Sequence, residues 1–322
     1  MRILLWNVHG SWDTAFVLGK HDYIVPVTPD RGPDGRGVPR TYDWPASVRE
    51  VPAAALRHED IDVVLLQRPA ELALTARWLG REPGRDIAAV YVEHNTPRGD
   101  VPDTRHFLAG RDDILLVHVT HFNALCWDSG RAPTTVIEHG IPDPGYCYRG
   151  DWPRAGVVIN EPIRRWRVTG TDLLPAFAKA APLDVFGMQA AGLPQRLGVD
   201  PAAIWVFDDL PQRKMHAELA RRRVYLHPFR WTSLGLSLLE AMLLGMPVVA
   251  LATTEAAEAV PPEAGVVSNR LDVLTSAVQR FVSDPLRSRR AGQAARSAAL
   301  GRYSLARFHR DWDRVLRGEI SR

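Results

Sequence analysis

The chain has little that would tie it to an extracellular scaffold or to a membrane. Its 322 residues hold two cysteines, Cys126 and Cys147, with no CxxC pair. Two such cysteines make no disulfide framework, so a reduced compartment is expected. Lysine is scarce too: of 40 basic residues only Lys20, Lys179 and Lys214 are lysine. With so much alanine, proline and glycine, the arginine excess reads as codon bias rather than as an arginine-rich binding surface. A formal net charge of +3 favours anionic ligands without demanding nucleic acid. No signal-peptide pattern precedes the opening strand. The longest apolar run, from Leu234 to Ala252, carries Glu240 near its middle and a Gly-Met-Pro break, which argues against a membrane span. No GxGxxG follows the first strand, where the chain reads His9-Gly10-Ser11-Trp12, and a dinucleotide dehydrogenase is disfavoured. The expectation is a cytoplasmic chain without a transmembrane segment. Peripheral membrane contact stays open.

What the chain does contain is alternation. Its length suits two domains, and 46% hydrophobic residues support packed cores. In the first half, 3–8, 63–66, 88–92, 115–119 and 135–137 read as strands. Residues 70–79 and 121–129 read as helices between them. Such alternation implies a parallel sheet covered on both faces. Residues 26–45 are rich in Pro, Gly, Asp and Arg and read as a long loop. A Pro- and Gly-rich stretch at 142–153 reads as the linker. A second alternation follows, with strands at 156–159, 183–186, 203–207, 224–227, 248–251 and 265–267. Helices fall at 171–180, 212–221, 236–244, 271–283 and 285–300. Ser304 is placed to cap a last amphipathic helix bearing Phe308, Trp312, Val315 and Leu316. The domains are expected at 1–148 and 149–302, with 303–322 as a closing helix.

The segment from His227 to Leu251 is the most informative. It reads as a loop, a glycine at a helix start, a short apolar helix, a Gly-x-Pro stop and a buried strand. Glu240 sits inside the apolar helix, where a lone carboxylate is costly unless paired. Sugar hydroxyls are good partners, and so is a neighbouring arginine. Backbone N–H groups near Gly235 and Leu236 offer a place for an anion. Together they suggest a nucleotide-sugar site, with diphosphate on the helix start and ribose one turn further in. Phe207-Asp208-Asp209-Leu210 reads as a turn with a cap for the helix at Gln212, ahead of a metal-binding pair.

His227-Pro228, Gly235-Leu236, Glu240-Ala241-Met242 and Gly245-Met246-Pro247-Val248-Val249 resemble the donor-binding motif of the retaining family-4 glycosyltransferases of group 1. That resemblance implies the α/β GT-B fold: two Rossmann-like parallel-sheet domains facing a cleft, with a C-terminal helix packing back across it. It covers the second half strongly and the first half weakly. It implies a diphosphate held by Arg164, with Arg165 or Arg167 replacing a lysine that relatives carry where Thr169 stands. The helix start, Ser233, Leu234, Gly235 and Leu236, completes the anion site, and Glu240 takes the ribose. Asp208 and Leu210 fall where relatives contact the base, and Gly10 falls in the donor-side loop of the first domain. His94, at the end of a strand, resembles the histidine that relatives turn toward the transferred sugar. Glu138-His139-Gly140-Ile141-Pro142-Asp143 resembles the family's turn at the end of the first domain. One position departs: relatives carry a glutamate eight residues before Glu240, and here it is Thr232.

The resemblance implies a hexosyl- or deoxyhexosyltransferase that needs neither cofactor nor metal. It would move a sugar from a nucleotide-diphosphate donor to an acceptor hydroxyl with retention, using His94, Arg164 and Thr232 at the reacting centre. The acceptor, whether glycan, lipid-linked or natural product, is not named by the sequence. The competing reading is a non-catalytic nucleotide-binding or partner protein that kept the fold, given Thr232 and Thr169.

Overall fold

The computed structural model describes residues 1–320, and it divides into two compact units. One comprises Met1–Pro142 together with the segment from Leu305 onward, and the other is Asp143–Ser304.

The first unit is built on a seven-stranded parallel sheet. It runs β1 (Arg2–Leu5), α1 (Gly10–Val17), β2 (Asp22–Val27), β3 (Val48–Pro52), β4 (Val63–Leu66) and α2 (Ala70–Leu79). Then come β5 (Ala88–Glu93), β6 (Leu115–His118), α3 (His121–Cys126) and β7 (Thr134–Val136). The strand order is β3-β2-β1-β4-β5-β6-β7. Strands β1, β4 and β6 are buried almost throughout, which is why they read as apolar runs.

Three elements here were not expected. The stretch read as a loop from residue 26 holds the end of β2 and is followed by β3, and α1 begins inside the loop after β1. Proline hides β2, because Pro26 cannot donate to a ladder. It is tolerated since β1 pairs with β2 only through Ile24, leaving Pro26 paired on the β3 side alone. Strand β3 is an edge strand carrying Arg49 and Glu50 and has no apolar run to reveal it.

The second unit is a six-stranded parallel sheet in the order β10-β9-β8-β11-β12-β13. Its elements begin with β8 (Trp152–Val158), α4 (Pro162–Arg165), α5 (Leu174–Ala178), β9 (Leu183–Gly187), α6 (Leu193–Leu197) and β10 (Ile204–Asp208). They continue through α7 (Gln212–Leu219), β11 (Arg222–His227), α8 (Leu236–Leu244), β12 (Val248–Leu251) and α9 (Ala256–Ala259). The unit ends with β13 (Gly265–Ser268), α10 (Leu271–Ser283) and α11 (Pro285–Arg302). Its core joins Val157, Leu183, Val224 and Val249 from the sheet to Phe177, Leu274 and Phe281 from the helices. Helix α8 is buried along most of its length. Its packing on α11 is close: a Cβ on Gly292 would run into the Gly245 carbonyl oxygen.

After Ser304 the chain returns to the first unit as α12 (Leu305–Ile320). Phe308, Trp312 and Leu316 are buried on it. Trp312 meets Trp12 at 5.7 Å and Phe16 at 5.1 Å between ring centroids. Gly140, expected to permit a turn, instead makes room for α12, since a Cβ there would collide with the Phe308 side chain.

Candidate functional site

In the second unit the chain leaves β8 toward β9 and β10 on one side, then places β11 on the other side of β8. This reversal is a topological switch point, the place where open parallel sheets bind ligands beyond their carboxyl ends. The two loops that follow are residues 159–170 after β8 and 228–235 after β11. They are laced together. The backbone amides of Arg230 and Trp231 both donate to the Val168 carbonyl, at 2.9 and 3.2 Å. Arg230 forks onto Asp172 at 2.6 and 3.0 Å. Gly170 sits at φ +71° with its open face against the Pro228 carbonyl, so no side chain fits there.

Helix α8 starts from this lacing. Its N-cap is Gly235, and no side chain caps it. Amides at such a start point toward an anion, and the helix dipole favours negative charge. Gly235 has a second reason to lack a side chain: a Cβ would lie 2.6 Å from the His227 ring. Burial holds that imidazole neutral, lowering its pKa to about 3. Ser233 and Leu234 are buried in the same loop, while Thr232 and Leu236 are half-buried.

Glu240, one turn into α8, is buried but not alone. Gln212 donates to its Oε1 at 3.0 Å, and the His216 ring lies 3.2 Å from its Oε2. Both partners come from one face of α7, at i and i+4. The arginine partner weighed as the structural alternative is therefore a glutamine and a histidine.

The arginine group separates by direction. Arg164 is exposed and ion-paired with Glu161. That pairing raises the Arg164 pKa and lowers that of Glu161. Arg167 is exposed and pairs with Asp172 at 3.1 Å. Arg165 is half-buried and lies over the Phe229 ring at 6.0 Å, beside the loop that leads into α8. Thr169 is fully buried, its hydroxyl 3.0 Å from that of Thr171. A lysine at that position would bury its ammonium. Asp208 is exposed, but one of its oxygens accepts the Ala190 amide at 2.8 Å. It caps no helix, because the N-cap of α7 is Pro211. Leu210 follows it, half-buried.

The first unit has its own switch point, between β1 and β4. Neither helix start nearby has a side-chain cap, but a carboxylate in the first turns of each takes up amides of the loop that leads into it. Asp13 Oδ2 accepts the amides of Val8 and His9, each at 2.7 Å. Glu71 Oε2 accepts those of Gln67 and Arg68 at 2.6 and 3.2 Å. Burial raises the Asp13 pKa to about 7, against the hydrogen bonds from Gln67, Val8 and His9. Gly10, at the start of α1, has the Tyr42 ring over it, 2.6 Å from where a Cβ would sit.

His94 follows β5. Its Nε2 lies 3.0 Å from Gln67 Oε1, and its ring meets His9 at 4.0 Å and Trp12 at 4.9 Å. Burial, then the nearby His9 and His139 imidazoles, lower its pKa well below the usual value. His9 falls to about 4 and His139 to about 3, with burial the main cause in both. Beside its helix starts the first unit thus presents buried carboxylates and neutral imidazoles, while beside α8 the second presents guanidinium groups.

Sequence reasoning missed Gln67, Asp13, Gln212, His216 and Arg230. Gln212 and His216 were legible in part, as an i, i+4 pair on an expected helix. Gln67 and Asp13 gave no signal, because their pairing joins the loop after β4 to the first turns of α1, fifty-four residues away in sequence.

Residues 201–298, less than a third of the chain, match the family model described as glycosyl transferases group 1. No curated protein sequence matches the chain. Solved structures do resemble it. Sucrose-phosphate synthase of Thermosynechococcus elongatus is 14% identical, with 100% of this chain and 99% of that one covered, at a TM-score of 0.73. Alr3699/HepE of Anabaena, solved with UDP and glucose, is 15% identical over 99% and 100% of the two chains, at 0.70. A glycosyltransferase of Rickettsia africae ESF-5 is 13% identical over 99% and 98%, also at 0.70. At such identities the likeness establishes the fold: two Rossmann-like units with a C-terminal helix, the GT-B plan.

Proposed function

We propose that the chain is a retaining glycosyltransferase that moves a sugar from a nucleoside-diphosphate donor to an acceptor hydroxyl. One observation carries the reading. The uncapped start of α8 lies at the switch point of the second sheet, in the stretch that matches the group 1 family model. Helix amides and a guanidinium can stabilise the charge that grows on a leaving diphosphate. The HepE structures with UDP and with UDP-glucose support a nucleotide-sugar donor for this fold.

In this reading the diphosphate sits on the start of α8, with Arg165 beside it, and Glu240 accepts ribose hydroxyls. Each Glu240 oxygen holds one protein partner and has capacity for another bond. His94 keeps the role the resemblance gives it, a hydrogen-bond partner of the transferred sugar. Thr232 sets which sugar is accepted, since a hydroxyl recognises without demanding what a carboxylate would demand. Retention follows if the acceptor attacks on the face from which the diphosphate leaves, with a phosphate oxygen taking the proton. Nucleotide binding needs no divalent metal, because amides and guanidinium supply the positive field.

A second reading, a non-catalytic nucleotide-binding protein, draws on two observations. Arg164 is engaged by Glu161, and the Thr169 hydroxyl is turned into the protein. Transfer and hydrolysis measured over a panel of nucleotide sugars, with and without chelator, separate the two. Turnover of at least one donor in chelator is the expected result. Nucleotide binding without turnover of any donor would favour the second reading, and an absolute metal requirement would refute the site as drawn.

A further inference from the structure

Gln67 comes directly after β4, at the switch point of the first sheet. Its amide nitrogen donates to the Trp6 carbonyl at 3.0 Å and to Asp13 Oδ1 at 2.9 Å. A carbonyl oxygen can only accept, so this end of the amide is the NH2 end. The opposite end, Oε1, faces His94 Nε2 at 3.0 Å and can itself only accept. His94 Nε2 therefore carries the hydrogen. With burial keeping the ring neutral, its lone pair lies on Nδ1.

The donor side of this chain is held from three elements. Asp13 stands in the first turn of α1, and its other oxygen is tied to the Val8 and His9 amides. Trp6 follows β1, and the Tyr91 hydroxyl of β5 donates to the Gln67 carbonyl at 3.3 Å. Turning the Gln67 amide over would set its oxygen against both the Trp6 carbonyl and Asp13. The Trp6 carbonyl, which can only accept, thus specifies the orientation before His94 is considered, whether or not Asp13 carries a proton.

We propose that Gln67, aimed by Asp13 and the Trp6 carbonyl, is a positioning residue that fixes His94 as the Nε2–H tautomer, so that a sugar hydroxyl meeting its Nδ1 edge must donate. The sugar-facing role of His94 rests on the function proposed above; the tautomer does not. The consequence is directional. A histidine expected to donate to a sugar hydroxyl is arranged to accept from one.

Nitrogen-15 spectra of histidine-labelled full-length chain test this, with His94→Gln assigning the signal. In the wild type the His94 pair should show a protonated Nε2 and an unprotonated Nδ1. Gln67→Met removes the acceptor and should move both signals toward averaged values as the two tautomers mix. In transfer assays Gln67→Met should lower kcat about tenfold, one hydrogen bond's worth, with donor KM changed less than about twofold. An Nδ1–H ring in the wild type, or an unchanged pattern in Gln67→Met, would overturn the proposal. Should Gln67→Met fail to fold, the wild-type spectrum decides alone. An Nε2–H ring in a chain that transfers from no nucleotide donor would uphold the positioning and refute glycosyl transfer.

Discussion

Glu240 is buried beside two groups that can each reverse their hydrogen-bond sense. Gln212 can turn its amide over, and the His216 ring nitrogen can serve as donor or acceptor according to its tautomer. Glu240→Gln should therefore fold normally. It should still weaken binding of a nucleoside diphosphate by about 1.5–3 kcal/mol, the difference between accepting ribose hydroxyls with a charged and with a neutral group. Calorimetry beside a thermal melt checks this; a lowered melting temperature with unchanged affinity would make Glu240 a purely structural partner of α7. The arginines offer a second contrast. Arg164 points to Glu161 and Arg165 toward the loop before α8. Arg165→Ala should raise the dissociation constant of the diphosphate more than Arg164→Ala does, while the bare nucleoside responds to neither. The reverse order would return the phosphate to Arg164. That distinction was invisible in Arg164-Arg165-Trp166-Arg167, because side-chain direction depends on Glu161 and on a loop more than sixty residues away.

Among the elements, α8 carries the helix start on which the proposed site rests. The next layer, α11, reaches it through a glycine: Gly292 lies against the Gly245 carbonyl at the other end of α8. Gly292→Ala should force the two helices apart and cost about 1–3 kcal/mol, as overpacking of a close contact does. Urea denaturation measures it, and a stability equal to wild type would show that α11 shifts without cost. The limits of α8 and β12 were legible in the sequence to the residue. A glycine start, a Gly-x-Pro stop and a run of buried residues leave little alternative. Helices α2 and α10 were equally plain, since one ends at Gly80 in the left-handed region and the other before the Asp284 cap. Strands β2 and β3 were not, because a proline and an edge position remove the signals that mark a strand. The switch-point loops were legible as loops only. What binds them together, Arg230 on Asp172 and two amides on Val168, is a pairing between the segments after β8 and β11 that local sequence does not encode.

For the molecule as a whole, burial of imidazoles sets a pH limit. His9, His139 and His227 have folded pKa values of about 4, 3 and 3, below the ordinary histidine value near 6.5. Below that pH the unfolded chain takes up protons that the folded chain refuses, so stability falls as pH falls. Asp13 acts in the opposite sense: raised to about 7, it binds a proton in the folded state that the unfolded state releases above its lower pKa. His94 and His118, which burial lowers as well, add to the same side, so the histidines outnumber Asp13 and stability falls between pH 6 and 5. Urea titrations at pH 7, 6 and 5 should show that decline. Flat or rising stability would mean that these histidines are solvated. The order of the chain carries a further consequence. The aromatic seat formed by Trp12, Phe16 and Gly140 belongs to the first unit to be synthesised, yet the residues that fill it, Phe308 and Trp312, are made after the whole second unit. On a translating ribosome, the half that is born first is therefore finished last. Until α12 emerges, its exposed tryptophan is an apolar patch for chaperones to hold, and folding of the first unit becomes a report that translation has passed residue 312.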